Sequence, residues 1–421
     1  MARRPGSVER PRAGTSRRRA LQATAGAVLL ALAGAPSWRD ARAAAPGTDD
    51  DARFVFIVLR GGMDGIAVVP PVGDPEHARV RAALLRPQAA PAGDATPADG
   101  DLLPLDGTFA LHPLLRELHG MHGAGELLVA HAICSPYRER SHFDAQNVLE
   151  GGGTRAFETD DGWLNRALSL SASASASGAS RTPQAIAIGA GMPLVLRGAT
   201  PVTSWAPSVL PQPDAELVAR VAALYANDHA LARALADARA VHEADAQARS
   251  GGQFPALMQA AAQFLTQPAG PRVAVLELAG WDTHSTQAQP AGGLARNLRQ
   301  LDAGMAALKR GLGDAWARTV VVAASEFGRT IAVNGTAGTD HGTGGAVLVA
   351  GGAVRGGRVL ADWPGLGESA RFEGRDLMAT LDLRVLLKGL LHDHLRIATA
   401  DLDSRVFPGS AGQPALRDLL R

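Results

Sequence analysis

Six short apolar runs punctuate the chain: Phe54 to Leu59, Leu127 to Ile133, Ala185 to Ile188, Val273 to Leu278, Thr319 to Ala324 and Ala346 to Ala350. Their apolar residues are continuous and do not alternate with polar ones, which is what a strand buried on both faces of a sheet requires. Between them lie stretches with apolar residues three and four apart: Pro113 to Met121, Asp214 to roughly Ala246, Leu294 to Leu312 and Arg375 to about His394. That is the spacing of helices laying one face on a core. Strands separated by helices predict an α/β fold, a doubly wound and mainly parallel sheet with helices on both faces. Two stretches break the rhythm. Residues 86–107, rich in Pro, Ala, Gly and Asp, and residues 169–180, nearly all Ser and Ala, read as surface insertions in a single domain spanning residues 44–421.

The N-terminus is of another kind. Ser16-Arg17-Arg18-Arg19 precedes an uncharged, mildly apolar run from Ala20 to Ala35, and Ala41-Arg42-Ala43 supplies a small-x-small cleavage signature. The run is too short and too weakly apolar to span a membrane, so residues 1–43 are expected to be a twin-arginine signal peptide. The expected partner is the Tat translocase, the destination is the periplasm, and the mature chain has no integral membrane segment. Removing nine arginines, Glu9 and Asp40 turns the formal charge from +1 to about −6. A mildly acidic body lacks the basic footprint of a nucleic-acid-binding protein. Cys134 is the only cysteine, so no intramolecular disulfide forms and stability rests on the core.

Several apolar runs lead straight into loops crowded with Asp, Glu, His and Gly. In open parallel sheets such loops converge beyond the carboxyl ends of the strands. Arg60-Gly-Gly-Met-Asp64-Gly65 follows the first run, and its glycines let the chain turn tightly. Arg138, Arg140, Ser141 and Asp144 follow the second; Ser141 is either a helix N-cap or a hydroxyl placed to attack or hold an anion. In Trp281-Asp282-Thr283-His284 the carboxylate and imidazole are two apart, on one side of an extended segment. They either share an ion or form a hydrogen-bonded pair. Ser325-Glu326-Phe327-Gly328-Arg329 offers a carboxylate and a guanidinium, and Asp340-His341 in a glycine-rich loop favours metal ligation. His112, His119, His122, His229, His242, His392 and His394 are expected at the surface, and Glu277 as a buried partner inside a strand.

The order of these motifs resembles the DUF1501 family across nearly the whole mature chain, a family similar to the alkaline phosphatase and sulfatase superfamily. The resemblance implies an alkaline-phosphatase-like sheet with metal ligands at strand ends. It implies Asp64 as a first metal-binding Asp, Ser141 near a nucleophile, Asp282 and His284 near the middle ligands, Glu326 in place of an Asp-His pair, and His341 at the last His ligand position. One residue separates Asp282 from His284 where the superfamily has three, and Ser325-Glu326 replaces its Asp-His pair. The function expected is a metal-dependent hydrolase of a phosphate or sulfate ester, using a divalent ion (Zn, Ca or Mg) and a small anionic ester substrate. In it Ser141, or water if Ser141 is only a cap, attacks, while Arg140 and Arg329 offset charge on the anion. The alternative is a non-catalytic periplasmic assembly or binding protein on the same fold. A glycan-binding module is disfavoured by an aromatic content of 4%.

Overall fold

The computed structural model describes residues 51–85, 101–171, 184–207, 215–229, 231, 232, 235 and 253–421. The proposed signal peptide, residues 86–100 and residues 172–183 lie outside the described residues. The chain divides into two compact units. The smaller comprises residues 1–40 and 211–242, and its main described element is the helix Ala215–Tyr225; the helix expected to run from Asp214 to about Ala246 ends there in a turn at residues 226–227, and residues 236–246 lie outside the described residues. The larger, residues 41–210 and 243–421, holds the sheet.

All six apolar runs are strands. The nine strands of the main sheet are β1 (Arg53–Arg60), β2 (Leu127–Cys134), β3 (Ala185–Ile188), β4 (Thr203–Trp205), β5 (Val273–Ala279), β6 (Thr319–Ala324), β7 (Gly345–Ala350), β8 (Arg358–Leu360) and β9 (Leu381–Asp382). Their order is β8-β2-β7-β6-β1-β5-β3-β4, with β9 also paired to β2. The pairs β1-β5, β1-β6, β3-β5, β3-β4, β2-β8 and β2-β9 are parallel. Strand β7 alone runs against both its neighbours, β2 and β6. That reversal matters: the loop leading into β7 lies at the same edge as the loops leaving the parallel strands.

Six helices carry the packing: α1 (Arg116–Gly123), α2 (His142–Gly151), α3 (Trp163–Leu170), α4 (Gln253–Thr266), α5 (Gly293–Leu312) and α6 (Leu383–Leu395). Residues Phe54 to Leu59 of β1 are all fully buried, so both faces of the central strand are covered, as continuous apolar runs require. On one face Phe54, Phe56 and Val58 pack with Trp163 of α3 and with Leu383, Leu386 and Leu390 of α6. Trp163 meets Phe56 edge-on with ring centroids 5.2 Å apart, and its indole N–H donates to the Leu149 carbonyl at 3.0 Å. Asp302 of α5 accepts from the backbone N–H groups of Glu117 and Leu118, satisfying two orphan donors at the start of α1.

Four local expectations change. The helix expected from Arg375 begins at Leu383, because residues 371–377 form a two-stranded ribbon and Leu381–Asp382 joins the sheet edge; Asp382 then caps α6 through the Arg384 N–H at 2.8 Å. Ser169 lies inside α3, and Leu103–Pro104 pairs with Ala110–Leu111. Glu277 is exposed and ion-paired to Arg60. Among the histidines expected at the surface, His122 is buried, and His394 is half-buried with its ring bonded to the Arg53 carbonyl at 2.8 Å. No helix among the described residues is long and apolar enough to cross a membrane.

His131 sits at a bulge in β2, fully buried between the rings of Phe109 and Trp363. Its Nε2–H donates to the Val69 carbonyl at 3.0 Å and its Nδ1 accepts from the Ala132 N–H at 2.8 Å, so the neutral ring is fully used. Burial pushes its pKa down to about 4, and burial does the same to His112. An unfolded imidazole protonates near 6.5. Between pH about 6.5 and 4 the unfolded chain therefore binds more protons than the native one, and stability falls as pH falls through that window. Thermal melts are expected to hold steady above pH ~7 and to decline progressively from 6.5 towards 4; a flat profile across that range would contradict this.

Candidate metal centre

Four strand-end segments meet at the carboxyl edge of the sheet. The loop after β5 brings Asp282 and His284; the loop into β7 brings Asp340 and His341; α2, after β2, begins with His142; and Glu326 follows β6. Gly61 and Gly62, at φ 118° and 66°, let the turn after β1 press against the others. A Cβ on Gly61 would lie 2.6 Å from the Asp282 nitrogen, so the approach excludes any side chain there.

At the centre, His341 Nε2 lies 3.0 Å from His142 Nε2, 3.0 Å from His284 Nε2 and 3.3 Å from Asp282 Oδ1. His284 Nε2 is 3.0 Å and His142 Nε2 3.5 Å from the same Asp282 oxygen. The donor atoms of His142, Asp282 and His341 all lie within 4.8 Å of one another, and His284 touches two of them.

The other nitrogen of each ring decides what these contacts mean. His142 Nδ1 faces Glu326 Oε1 at 2.8 Å, His284 Nδ1 faces Asp340 Oδ1 at 3.1 Å, and His341 Nδ1 faces the Arg140 carbonyl at 3.0 Å. All three partners only accept, so each Nδ1 carries the proton and each neutral ring turns its Nε2 lone pair inward. Three lone pairs and a carboxylate oxygen then face one another. Protons satisfy that arrangement only by charging two of three imidazoles that crowd together, whereas one divalent cation takes every lone pair. Donors ~2.0 Å from a common point in tetrahedral arrangement are roughly 3.3 Å apart, and those of His142, Asp282 and His341 stand 3.0 to 3.5 Å apart. The donor set fits a resident metal ion.

The electrostatics agree. Burial works against the Asp282 charge, but the hydrogen bond and charge of Arg329 outweigh it and hold the carboxyl below its usual range. The hydrogen bond to Glu326 raises the His142 pKa, while burial, helped by the charge of His142, lowers that of His341. Burial disfavours the Glu326 anion too, yet its bond to His142 and those from Gln146 and the Gly61 N–H keep its pKa low.

Of the residues singled out in the sequence, the structure brings Asp282, His284 and His341 together. Glu326 and Asp340 turn their carboxylates to ring Nδ1 atoms instead of to the centre, so they orient His142 and His284. Asp64 has a different role. It is 1% exposed, caps the short helix Gly65–Val68 through the Ile66 and Ala67 N–H groups, and binds Arg81 at 2.5 Å and Gln287 at 2.7 Å. Its oxygens are spent, and the expectation that it ligates is replaced by a structural one.

The arginines are spent as well. Arg329, fully buried, donates to the carbonyls of Gly61, Gly62, Trp281 and Thr339 and to Asp282. Arg140 donates to Asp376 at 2.7 Å and Glu373 at 2.5 Å. Both guanidiniums are directed at protein acceptors, which removes the physical ground for the anion-clamping role expected of them. Ser141 stands at the N-cap position of α2, yet its side chain makes no capping bond. His142 is a fourth member of the centre, outside the residues that the strand-end pattern singles out. The signal was present: a histidine directly after Ser141, in a loop beyond a strand end.

A family model described as protein of unknown function (DUF1501) matches residues 51–406. The chain belongs to the DUF1501 family. No curated protein matches it. Among solved structures, the DUF1501 chain is similar to the C-terminal periplasmic domain of EcEptC from Escherichia coli in complex with Zn, at 11% identity and a TM-score of 0.34, covering 71% of this chain and 73% of that one. It is also similar to the lipoteichoic acid synthase LtaP from Listeria monocytogenes, at 8% identity and a TM-score of 0.33, covering 85% and 76%.

Glu326→Gln is expected to keep the fold and weaken metal binding by about 10- to 100-fold, because an amide oxygen holds the His142 ring with less charge than a carboxylate. Competition with a chromophoric chelator measures this; unchanged affinity would remove Glu326 from the support of the site.

Proposed function

We propose that this DUF1501 chain is an exported, metal-dependent hydrolase of a phosphate or sulfate ester. The observation that carries the reading is the convergence of three Nε2 lone pairs, each fixed by an acceptor on Nδ1, on the Asp282 carboxylate. His142, Asp282, His284 and His341 would hold the ion. When bound, a divalent ion supplies a Lewis acid for the ester oxygen and for the charge that develops on it. Glu326, Asp340 and the Arg140 carbonyl keep the three rings in the required tautomer, and Arg329 fixes the Asp282 carboxylate. Ser141, next to His142 and free of a capping bond, is the candidate hydroxyl for attack. In net terms water adds across the ester bond, its oxygen going to phosphorus or sulfur and a proton to the departing oxygen. Export rests on the Ser16 to Ala43 signal pattern.

The test is turnover of phosphate and sulfate esters by the purified protein, before and after metal removal. The reading expects hydrolysis that chelator abolishes and a divalent ion restores, and that Asp282→Asn lacks. Metal bound without turnover of any ester would favour the non-catalytic alternative, in which the ion only holds the four loops together.

A further inference from the structure

We propose that Phe143 and Phe157 form an apolar shelf beside the metal centre, and that its substrates carry an apolar organic group next to the head that meets the ion. The inference rests on the hydrolase reading and names its substrate class.

Phe143 follows His142 directly and is 83% exposed, and Phe157 is 72% exposed. The described core leaves few other large apolar side chains in solvent. The two residues are linked through α2. Phe143 and Asn147 are four apart on α2 and share a face, and Asn147 Oδ1 accepts from the Phe157 N–H at 2.6 Å, folding residues 152–158 back onto that face. Phe157 sits at φ 59°, a conformation that bulky residues rarely adopt. The Glu158 carboxylate holds the loop in place, accepting from the Thr154 N–H at 2.6 Å, the Thr154 hydroxyl at 2.9 Å and the Arg155 N–H at 3.2 Å. The loop is thus braced around a strained residue whose ring contributes nothing to the core.

Two features of the centre point the same way. Phe327 lies against the rings of His142 and His341, with centroids 4.8 and 5.1 Å apart, so the site already has an aromatic wall. Arg140 and Arg329 are spent on protein acceptors. Neither of those two guanidiniums is free to grip an anion, and the shelf offers an apolar contact instead.

The test uses the zinc-loaded protein and two phosphonates, methylphosphonate and phenylphosphonate, with binding followed by calorimetry. Phenylphosphonate is expected to bind at least about tenfold more tightly, the scale set by burying most of one phenyl ring. In Phe143→Ala/Phe157→Gly the ratio is expected to fall towards one at unchanged zinc content. Glycine takes φ 59° without strain, so the loop is kept. Equal affinities in the wild type, or a ratio that survives in the double variant, would overturn the shelf while leaving the metal centre standing. Zinc binding with no affinity for either phosphonate would overturn both the shelf and the ester-hydrolase reading.

Discussion

Arg81→Met is expected to destabilise the protein by about 3–5 kcal/mol, the cost of leaving a buried charge without its partner. Arg81 and Asp64 are 2% and 1% exposed. The guanidinium makes two bonds to the carboxylate, at 2.5 and 3.2 Å, and also donates to the Ile331 and Thr330 carbonyls, each at 2.8 Å. Burial alone would push the Asp64 pKa up; the Arg81 charge reverses this and keeps the carboxyl ionised. Without Arg81 the acid must either stay charged in an apolar surround or take up a proton. The double variant Arg81→Met/Asp64→Asn is expected to recover much of the loss, since replacing both partners removes the unpaired charge, and the two substitutions are then strongly non-additive. Denaturant melts measure it. A loss below ~1 kcal/mol in the single variant would mean that the pair is hydrated and contributes little.

His341→Ala is expected to weaken metal binding by more than about 100-fold, beyond what loss of an orienting partner costs. Its Nε2 is the atom that all the other donors approach. An ion bound at 100 times its dissociation constant adds roughly 2.7 kcal/mol to stability. Chelator should therefore lower the melting temperature of the wild type and leave His341→Ala almost unmoved. Asp282→Asn acts on the same ion from another strand end, so the double variant should be no worse than either single one in its response to chelator. Were the group held by hydrogen bonds alone, each substitution would cost about 0.5–1.5 kcal/mol and chelator would change nothing.

The sheet was legible because its strands are continuous apolar runs, and both faces of β1 are indeed covered. The elements missed are those whose pattern carries little signal. β4, β8 and β9 have three, three and two residues, too few to show a period. The reversal of β7 leaves no mark in composition, although it is what carries His341 to the carboxyl edge of the parallel strands. At the site, residue types in strand-end loops singled out Asp282, His284 and His341, which the fold brings together. Composition does not distinguish a carboxylate aimed at an ion from one aimed at the back of an imidazole, and Glu326 and Asp340 are of the second kind. Asp64 illustrates a further limit. Its partner Arg81 lies 17 residues on, in a short stretch with no strand or glycine signal to connect the two. The arginines near the site fail for a similar reason: a guanidinium that binds an anion and one that rivets loop carbonyls together look the same in a sequence, and Arg329 is a rivet.

The most direct measurement is elemental analysis of the purified protein, combined with titration of the metal-free form by zinc and repeated on His142→Ala. His142 is the decisive position because its Nδ1 is tied to a fully buried carboxylate, while its Nε2 faces both His341 and Asp282. The expected result is about one divalent ion per chain in the wild type, a rise in melting temperature on zinc addition, and loss of both in the variant. No ion above background, with a melting temperature indifferent to zinc and to chelator alike, would contradict a metal centre at this edge of the sheet.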